Sequence, residues 1–328
     1  MRSVASSIPA TACPVCGHER WQVVLTARDM HGDEWFEIAG CQSCGMRRTA
    51  DRLSEAELGR YYDYPGGRDA GRRFVGAVES VERALRRRRT VMVERLCSRP
   101  GRIVDVGCGR GTMLAALAAR GWEVWGTELD ESVAATARQA LGERILTGSV
   151  ASAGLAPEAF DVVTFFHALE HLVSPREALA AAAELVRPGG HVVVELPNWS
   201  SWQARWFGRH WLHLDVPRHR YHFTPELLTR LGRQLGLVPL RTWHFSLEYG
   251  PYPLLQSALA AAGLNHVLFT RLLRPVGTTT RPRQALWLHL ALSPLLGAGL
   301  VAATGIELAA AAARRGGVVR MVFQRSTR

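Results

Sequence analysis

The sequence predicts an α/β protein. Its core is an open, largely parallel sheet, with a small cysteine-stapled module ahead of it and apolar helices inserted before the last strand. Three observations predict this. Residues 104–111 read Val-Asp-Val-Gly-Cys-Gly-Arg-Gly, between a short apolar run (Ile103 to Val106) and an Ala/Leu-rich helical pattern (Met113 to Ala119). That is strand, glycine turn, helix. Short apolar runs then alternate with helical patterns as far as Leu196, as βαβ units require. Finally, paired cysteines stand before this region and a long apolar run stands behind it.

At 328 residues there is room for one large domain with appendages. A hydrophobic fraction of 47% supports a sizeable core. Neither a Gly-X-Y period nor an internal repeat occurs, which excludes collagen-like and solenoid folds. The net charge is +11 and every basic residue is Arg. From Pro251 onward nine Arg face one acid, Glu307, so this last quarter carries about +8. The asymmetry points to an anionic partner: a membrane surface, a phosphorylated substrate or nucleic acid. Met1 to Thr11 holds one Arg and no apolar stretch of signal length, so a cytoplasmic chain is expected, with attachment to the inner face of the plasma membrane as the variant.

Cys13-Pro-Val-Cys16-Gly is followed by Cys41-Gln-Ser-Cys44-Gly. A two-residue gap lets both sulfurs of a pair face one ion, and the trailing glycine permits the tight turn. Two such knuckles supply four thiolates, a closed set suited to structural zinc. With strand-like pieces at Trp21 to Leu25 and Trp35 to Ile38, residues 1–50 look like a zinc ribbon. Cys97 and Cys108 read as small packing residues. Residues 51–100 read as a helical linker or lid, broken at Pro65-Gly66-Gly67, with Arg86 to Arg89 on a solvated helix face.

After the glycine turn, Trp122-Glu-Val-Trp-Gly-Thr-Glu128 reads as a second strand ending in an acid. An acid there, about 20 residues past the glycines, is placed to accept hydrogen bonds from ribose hydroxyls. Asp130 reads instead as the N-cap of a helix from Glu131 to Leu141. A third strand, Arg144 to Leu146, leads to Gly148-Ser149. A fourth, Phe160 to Phe166, runs into His167-Ala-Leu-Glu170-His171. A helix, Pro175 to Val186, and a turn, Arg187 to Gly190, precede a fifth strand, His191 to Leu196. Next comes an insertion, 199–224, holding Trp199, Trp202, Trp206, Trp211 and the string Pro217-Arg-His219-Arg-Tyr-His222-Phe. Leu240 to Phe245 and Gly317 to Gln324 read as the last two strands.

The order Asp105-x-Gly107-x-Gly109-x-Gly111 resembles motif I of the class I S-adenosylmethionine (SAM) methyltransferases. Phe160-Asp-Val-Val, Leu169-Glu-His and Arg187-Pro-Gly-Gly follow in the order and spacing of ubiquinone-type small-molecule O-methyltransferases, over roughly 101–247. The resemblance implies a Rossmann-like seven-stranded sheet over 101–250, completed by a final strand in 317–328 that pairs antiparallel with its neighbour. It implies SAM as methyl donor, with Asp105, Gly107, Gly109, Gly111, Glu128 and His167 around it. In related enzymes the loop after the third strand supplies an acid to adenine; here it offers Ser149. The zinc ribbon ahead, with Pro197-Asn198 and Pro-Arg-His-x-x-His-Phe behind, looks like a bacterial subfamily of polysaccharide or secondary-metabolite pathways.

An oxygen acceptor must lose a proton, and a neutral histidine near the methyl group can take it. The candidates are His222 and His219, with His171 behind them. His167 and His171 have the spacing of metal ligands on a helix, but the sequence supplies no obvious third ligand. The expected acceptor is a small molecule: a hydroxyl on a saccharide, a lipid-linked compound or a secondary metabolite, with sugar C-methylation as a near variant. An RNA methyltransferase is the rival, prompted by the ribbon and the basic charge. Against it, strand four ends in Phe165-Phe166-His167-Ala168, not Asn-Pro-Pro-aromatic, and the Arg excess surrounds apolar segments. A non-catalytic SAM- and zinc-binding module is the third reading.

The apolar run Ala285 to Ile306 has 22 positions, enough on length to span a bilayer. A true span would strand the final strand across the membrane from its sheet. The insertion 251–316 is therefore expected to return to its own side, bent at Pro294-Leu-Leu-Gly297, or to pack as a helical subdomain. Arg271, Arg274, Arg281, Arg283, Arg314 and Arg315 flank it. Monotopic membrane association, a lid and a homodimer contact are the readings it supports.

Overall fold

The computed structural model describes residues 11–50, 53–62, 87–264 and 282–327. The chain opens with β1 (Trp21–Arg28), β2 (Trp35–Cys41) and β3 (Arg47–Ala50), an antiparallel meander between and after the cysteine knuckles. Short helices follow: α1 (Glu55–Gly59), closed by a Ser54–Glu57 capping box, and α2 over 87–94. Pro65-Gly66-Gly67 and Arg86 lie outside the described residues.

The core then alternates strand and helix. β4 (Arg102–Val106) leads to α3 (Thr112–Ala118), β5 (Glu123–Glu128) to α4 (Glu131–Leu141), and β6 (Ile145–Thr147) to β7 (Phe160–Phe166). α5 (Pro175–Leu185) precedes β8 (Val186–Pro197), and α6 (Trp202–Phe207) opens the aromatic insertion. β9 (Tyr221–His222), α7 (Pro225–Gln234), β10 (Leu237–Trp243), α8 (Pro251–Ala261), α9 (Pro282–Ala312) and β11 (Val318–Arg325) complete the order. The main sheet has seven strands in the order β10-β11-β8-β7-β4-β5-β6. Its central strands are parallel, and β11 runs antiparallel to both β8 and β10.

Both faces of this sheet are covered, which is why its strands read as continuous apolar runs. Alternate residues go to opposite faces. Val104, Val163, Val192 and Phe323 pack with Leu179 of α5 and with Leu228 and Leu231 of α7. Ile103, Val162, Val193 and Val322 pack with Leu114, Leu117, Ala134 and Ala137 of α3 and α4. Cys97 and Cys108 pack at the margin of that second cluster. Asp130 caps α4 by accepting from the backbone of Ser132 and Val133.

Two local expectations change. Arg187 to Gly190 is not a turn before a strand but a loop thrown out within β8. Phe160 pairs with Val186 and Val162 already pairs with His191, so the residues between have no partners in β7. α9 continues as one helix through Pro294, so the chain does not turn back there as a hairpin. A proline deletes one backbone donor, and the Ala- and Leu-rich flanks on both sides are strong helix formers. α8 ends at Ala261; the rest of the helical pattern expected up to Leu273 passes outside the described residues at 265.

The N-terminal module is not a free appendage. β9, which comes from the aromatic insertion, extends its sheet, giving the order β1-β2-β3-β9. Arg47 pairs with His222 and Arg48 with Tyr221. Beside this seam Arg218 is fully buried. Its guanidinium lies 2.8 Å from Asp29 Oδ1 and 2.6 Å from Asp215 Oδ1, and it donates to the Tyr61 carbonyl at 2.9 Å. One cation thus ties β1's end, the turn after α1 and the insertion together. Removing one partner of a buried ion pair leaves the others desolvated and unpaired. Arg218→Ala is therefore expected to destabilise the fold by about 3–5 kcal/mol in a denaturant titration; a loss within about 1 kcal/mol, the scale of an exposed pair, would show that the seam carries no such weight.

Candidate active site

The site forms where the parallel strands end, on the carboxyl edge of the sheet. β4 runs into the glycine turn, where Gly107, Gly109 and Gly111 all have positive φ, between 56° and 71°. Side chains rarely adopt that conformation. Two further constraints apply. A Cβ on Gly107 would lie 2.8 Å from the Ala168 methyl, whereas Gly109 faces open space. The backbone N–H groups of Gly107 and Cys108 both donate to the Thr127 carbonyl, so the turn is stitched to the end of β5.

Glu128 closes β5. Its carboxylate accepts from Gly109 N at 3.0 Å, Leu129 N at 2.8 Å and Asp130 N at 3.2 Å. The acid expected at the ribose position thus stands at the mouth of the glycine turn. Asp130 serves α4 as its cap. Ser149 caps a 3₁₀ turn, Val150–Ser152, by accepting from Ser152 N. Asp105 lies beneath the turn, buried, and accepts a 2.6 Å hydrogen bond from Thr164. Burial raises its carboxyl to about 7, against the opposing pulls of the Thr164 bond and the Arg89 charge.

β7 runs into His167, at φ 53°. Its backbone N–H donates to the Glu195 carbonyl, and its ring centroid lies 3.9 Å from that of Tyr249, the planes tilted by 33°. Nδ1 stands 3.3 Å from Glu170 and Nε2 3.4 Å from Glu195. Burial disfavours a charged His167, but the two carboxylates outweigh it and raise its pKa. Glu195, on β8, is also gripped by Arg320 of β11 and stands 3.4 Å from Arg89 of α2. Burial would raise Glu195; the His167 contact and the two guanidinium charges hold it at about 2 instead. Arg89 also stands 3.2 Å from Glu248. The expected solvated arginine face therefore holds for Arg87 and Arg88, which are exposed, but not for Arg89.

A second group gathers beside this one. Ligand atoms of Glu170, His171 and His219 all lie within 4.8 Å of one another. His171 Nδ1 donates to the Arg218 carbonyl and His219 Nδ1 to the His213 carbonyl. Each ring thereby keeps Nε2 as its acceptor. Neither Glu170 oxygen has a hydrogen-bond donor, although both are buried; the His167 approach is an ion-pair contact only. This set has the donors to hold a cation: of the expected His167 and His171 pair only His171 belongs to it, joined by Glu170 and His219. Burial, then the charge of His171, lowers His219 to about 4, so its ring is neutral at neutral pH. His222 lies apart, in β9, with its ring 5.3 Å from Trp199 and Nε2 3.4 Å from Thr49 Oγ1. Burial lowers it to about 3.

Asp215 also borders a cleft of about 610 Å³ lined by Trp35, Arg209, Trp211 and Gln256 among others. The Gln256 amide is buried, and neither its nitrogen nor its oxygen has a partner. At the other end of the chain's first module, Cys13, Cys16, Cys41 and Cys44 bring four sulfurs within 4.8 Å of one another. Cys13 Sγ lies 3.5 Å from Cys44 Sγ, and Cys16 Sγ 3.6 Å from Cys41 Sγ. Zinc–sulfur bonds of about 2.3 Å in a tetrahedron place sulfurs roughly 3.8 Å apart, so the four thiols fit that ion.

Comparison with known proteins places this geometry. A family profile described as a methyltransferase domain matches residues 77–242, just over half of the chain. The chain belongs to the methyltransferase domain family. The ubiquinone biosynthesis O-methyltransferase of Aeromonas salmonicida is 33% identical over 150 residues, or 42% of this chain and 63% of the relative. That of Bordetella avium is 32% identical over 182 residues, or 52% of this chain and 75% of the relative. The chain thus spans about 63% of the Aeromonas protein's length. A crystal structure of a SAM dependent methyltransferase from Archaeoglobus fulgidus aligns with a TM-score of 0.47 at 19% identity, over 77% of this chain and 96% of that one. Both cysteine knuckles and all of α9 lie outside the matched methyltransferase domain.

Sequence reasoning named the glycine turn, Glu128 and the histidines. It missed Glu195, Tyr249 and Asp215, whose importance comes from neighbours remote in sequence. For Arg320 a signal existed: an arginine alternating with buried Val319 and Met321 needs a partner. Asp105 makes a pH test possible. Its folded pKa is about 7, against about 3.9 unfolded. Between those values the unfolded state has released a proton that the folded state retains, so stability falls as pH rises. Asp105→Asn keeps the Thr164 bond and is expected to flatten that fall between about pH 4 and 7. Parallel curves for wild type and variant in pH-dependent unfolding would refute the assignment.

Proposed function

We propose that the chain transfers a methyl group from SAM to a hydroxyl of a small-molecule acceptor. The observation that carries this is the Glu128 carboxylate at the mouth of a three-glycine turn, hydrogen-bonded to Gly109 N. The turn offers close backbone approach and the carboxylate an acceptor for ribose hydroxyls. SAM, when bound, supplies a methyl group already activated on a cationic sulfur. What remains for the protein is alignment and proton removal.

His219 is the side chain best suited to take the acceptor's proton. Its Nδ1 is held by the His213 carbonyl, and its Nε2 points to the Glu170 and Asp215 side. Burial keeps the ring neutral and thus able to accept. Glu170, His167 and Glu195 supply the charge that orients this group. His222, paired with the N-terminal sheet, serves in this reading to position the loop. The relatives named for ubiquinone biosynthesis support an oxygen acceptor. The cleft beside Asp215, with aromatic walls and the unpartnered Gln256 amide, suits a hydroxylated acceptor such as a saccharide or secondary metabolite.

Zinc in the four-cysteine cluster has a structural role in this reading. The site is closed, with four thiolates and no open position. Metal analysis of the purified chain is expected to return one zinc per chain. Cys41→Ser should lose it and lower the melting temperature, and a chain that is metal-free yet equally stable would count against the ribbon.

Calorimetry with SAM and with its demethylated product tests the donor site. Wild type should bind both. Glu128→Ala should bind about 10–100 times more weakly, as the loss of hydrogen bonds to a charged group implies. His219→Gln should keep wild-type affinity for the product yet release none of it from SAM in a cell extract that supports the wild type. Absence of binding by wild type would remove the proposal altogether.

A further inference from the structure

The long helix before the last strand presents a surface that the transferase reading leaves unused. Residues 295–312 of α9 have a mean hydropathy of 1.7, and only 17% of them are buried. Ala303, Glu307 and Ala310 form the inward stripe, and α9 packs along α8. Over residues 295–312 the outward face is apolar. Leu295 is 69% exposed, Val301 74% and Leu308 53%, with Leu300 and Ile306 beside them. Over these 18 positions the helix is about 27 Å long. An apolar strip of that length is unusual on a surface meant for water alone.

Charge is arranged around this strip, not on it. Glu307 is the one charged residue between Leu295 and Ala312, and it is turned inward. Its Oε1 accepts from Gln203 Nε2 at 2.7 Å and its Oε2 from Gly317 N at 3.1 Å. That contact anchors α9 to the body of the protein, so the helix lies along the body and does not leave it. Arg314 and Arg315 follow at the helix's end, both exposed. Elsewhere in the last quarter of the chain Arg320 and Arg325 are taken up by Glu195 and Glu158, so Arg314 and Arg315 are the cations at this end of the strip.

We propose that the outward face of α9 docks on an anionic phospholipid bilayer. Leu295, Val301 and Leu308 enter the headgroup and acyl boundary, while Arg314 and Arg315 meet lipid phosphates. A second copy of the chain is the other occupant of comparable shape. It is disfavoured because the exposed face over residues 295–312 carries no acid to match the Arg314 and Arg315 of another copy, whereas an anionic surface complements them. The proposal is independent of the transferase chemistry.

Co-sedimentation with vesicles tests it, using phosphatidylcholine alone and phosphatidylcholine with phosphatidylglycerol. Full-length protein is expected to partition at least about tenfold better to the anionic vesicles, with the preference shrinking at high salt. The triple variant Leu295→Glu, Val301→Glu, Leu308→Glu should stay in the supernatant while keeping its metal content and its thermal melt. If that variant fails to fold, Val301→Glu and Arg314→Glu, each at an exposed position, are measured singly, and each should weaken vesicle binding. Wild type that sediments with neither vesicle, or equally with both at all salt concentrations, overturns the proposal. Unchanged binding by the folded variants overturns it as well. So does a wild-type dimer, seen by light scattering, that the substitutions dissociate and that does not bind vesicles.

Discussion

A single buried guanidinium holds the two halves of this molecule in register. Arg218 sits among Asp29, Asp215 and the Tyr61 carbonyl, each from a different part of the chain. Taking a cation out of water is costly unless good partners replace the solvent. Here two carboxylates and a carbonyl do so, and meeting all three fixes the path of the insertion. The consequence reaches further. Arg220 N donates to the Glu170 carbonyl and Thr49 Oγ1 to the His219 carbonyl, so the same loop is pinned on both sides. The N-terminal module thereby becomes one wall of the candidate site.

The site itself is built on balanced burial. Glu195 is surrounded by His167, Arg320 and Arg89, which arrive on β7, β11 and α2. None of these charges would be tolerable alone in such a place. Together they hold Glu195 ionised and favour a charged His167, in spite of burial. His219, a few residues from Asp215 and against His171, experiences the opposite balance and stays neutral. His167 and His219 thus approach the same Glu170 carboxylate with opposed protonation preferences.

The polar contacts of the C-terminal region follow the same logic. Gln203, on α6, donates to Glu307 and to the Gly250 carbonyl, and its oxygen accepts from Trp211. That network joins α6, α8 and α9 through groups that each need a partner once buried. It draws Glu307 inward and leaves the outer face over residues 295–312 without charge. The long apolar run is thus neither a conventional core helix nor a span that parts from the sheet.

Much of this was legible in the chain itself. Strand, glycine turn and helix follow from local rules, because glycine at positive φ and apolar periodicity are properties of short segments. Glu128 and the four cysteines were equally legible, since spacing along the chain sets their geometry. The tertiary structure alone decided the rest. Arg89 reads as one of four surface arginines until Glu195 and Glu248 are placed against it. Glu170 and His219 become neighbours only when β7 and the insertion meet, about fifty residues apart. His222 pairs with Arg47 in a sheet begun at Trp21. Pairings across such distances depend on which buried charges and unpaired backbone groups the fold brings together, and no window of sequence contains both partners.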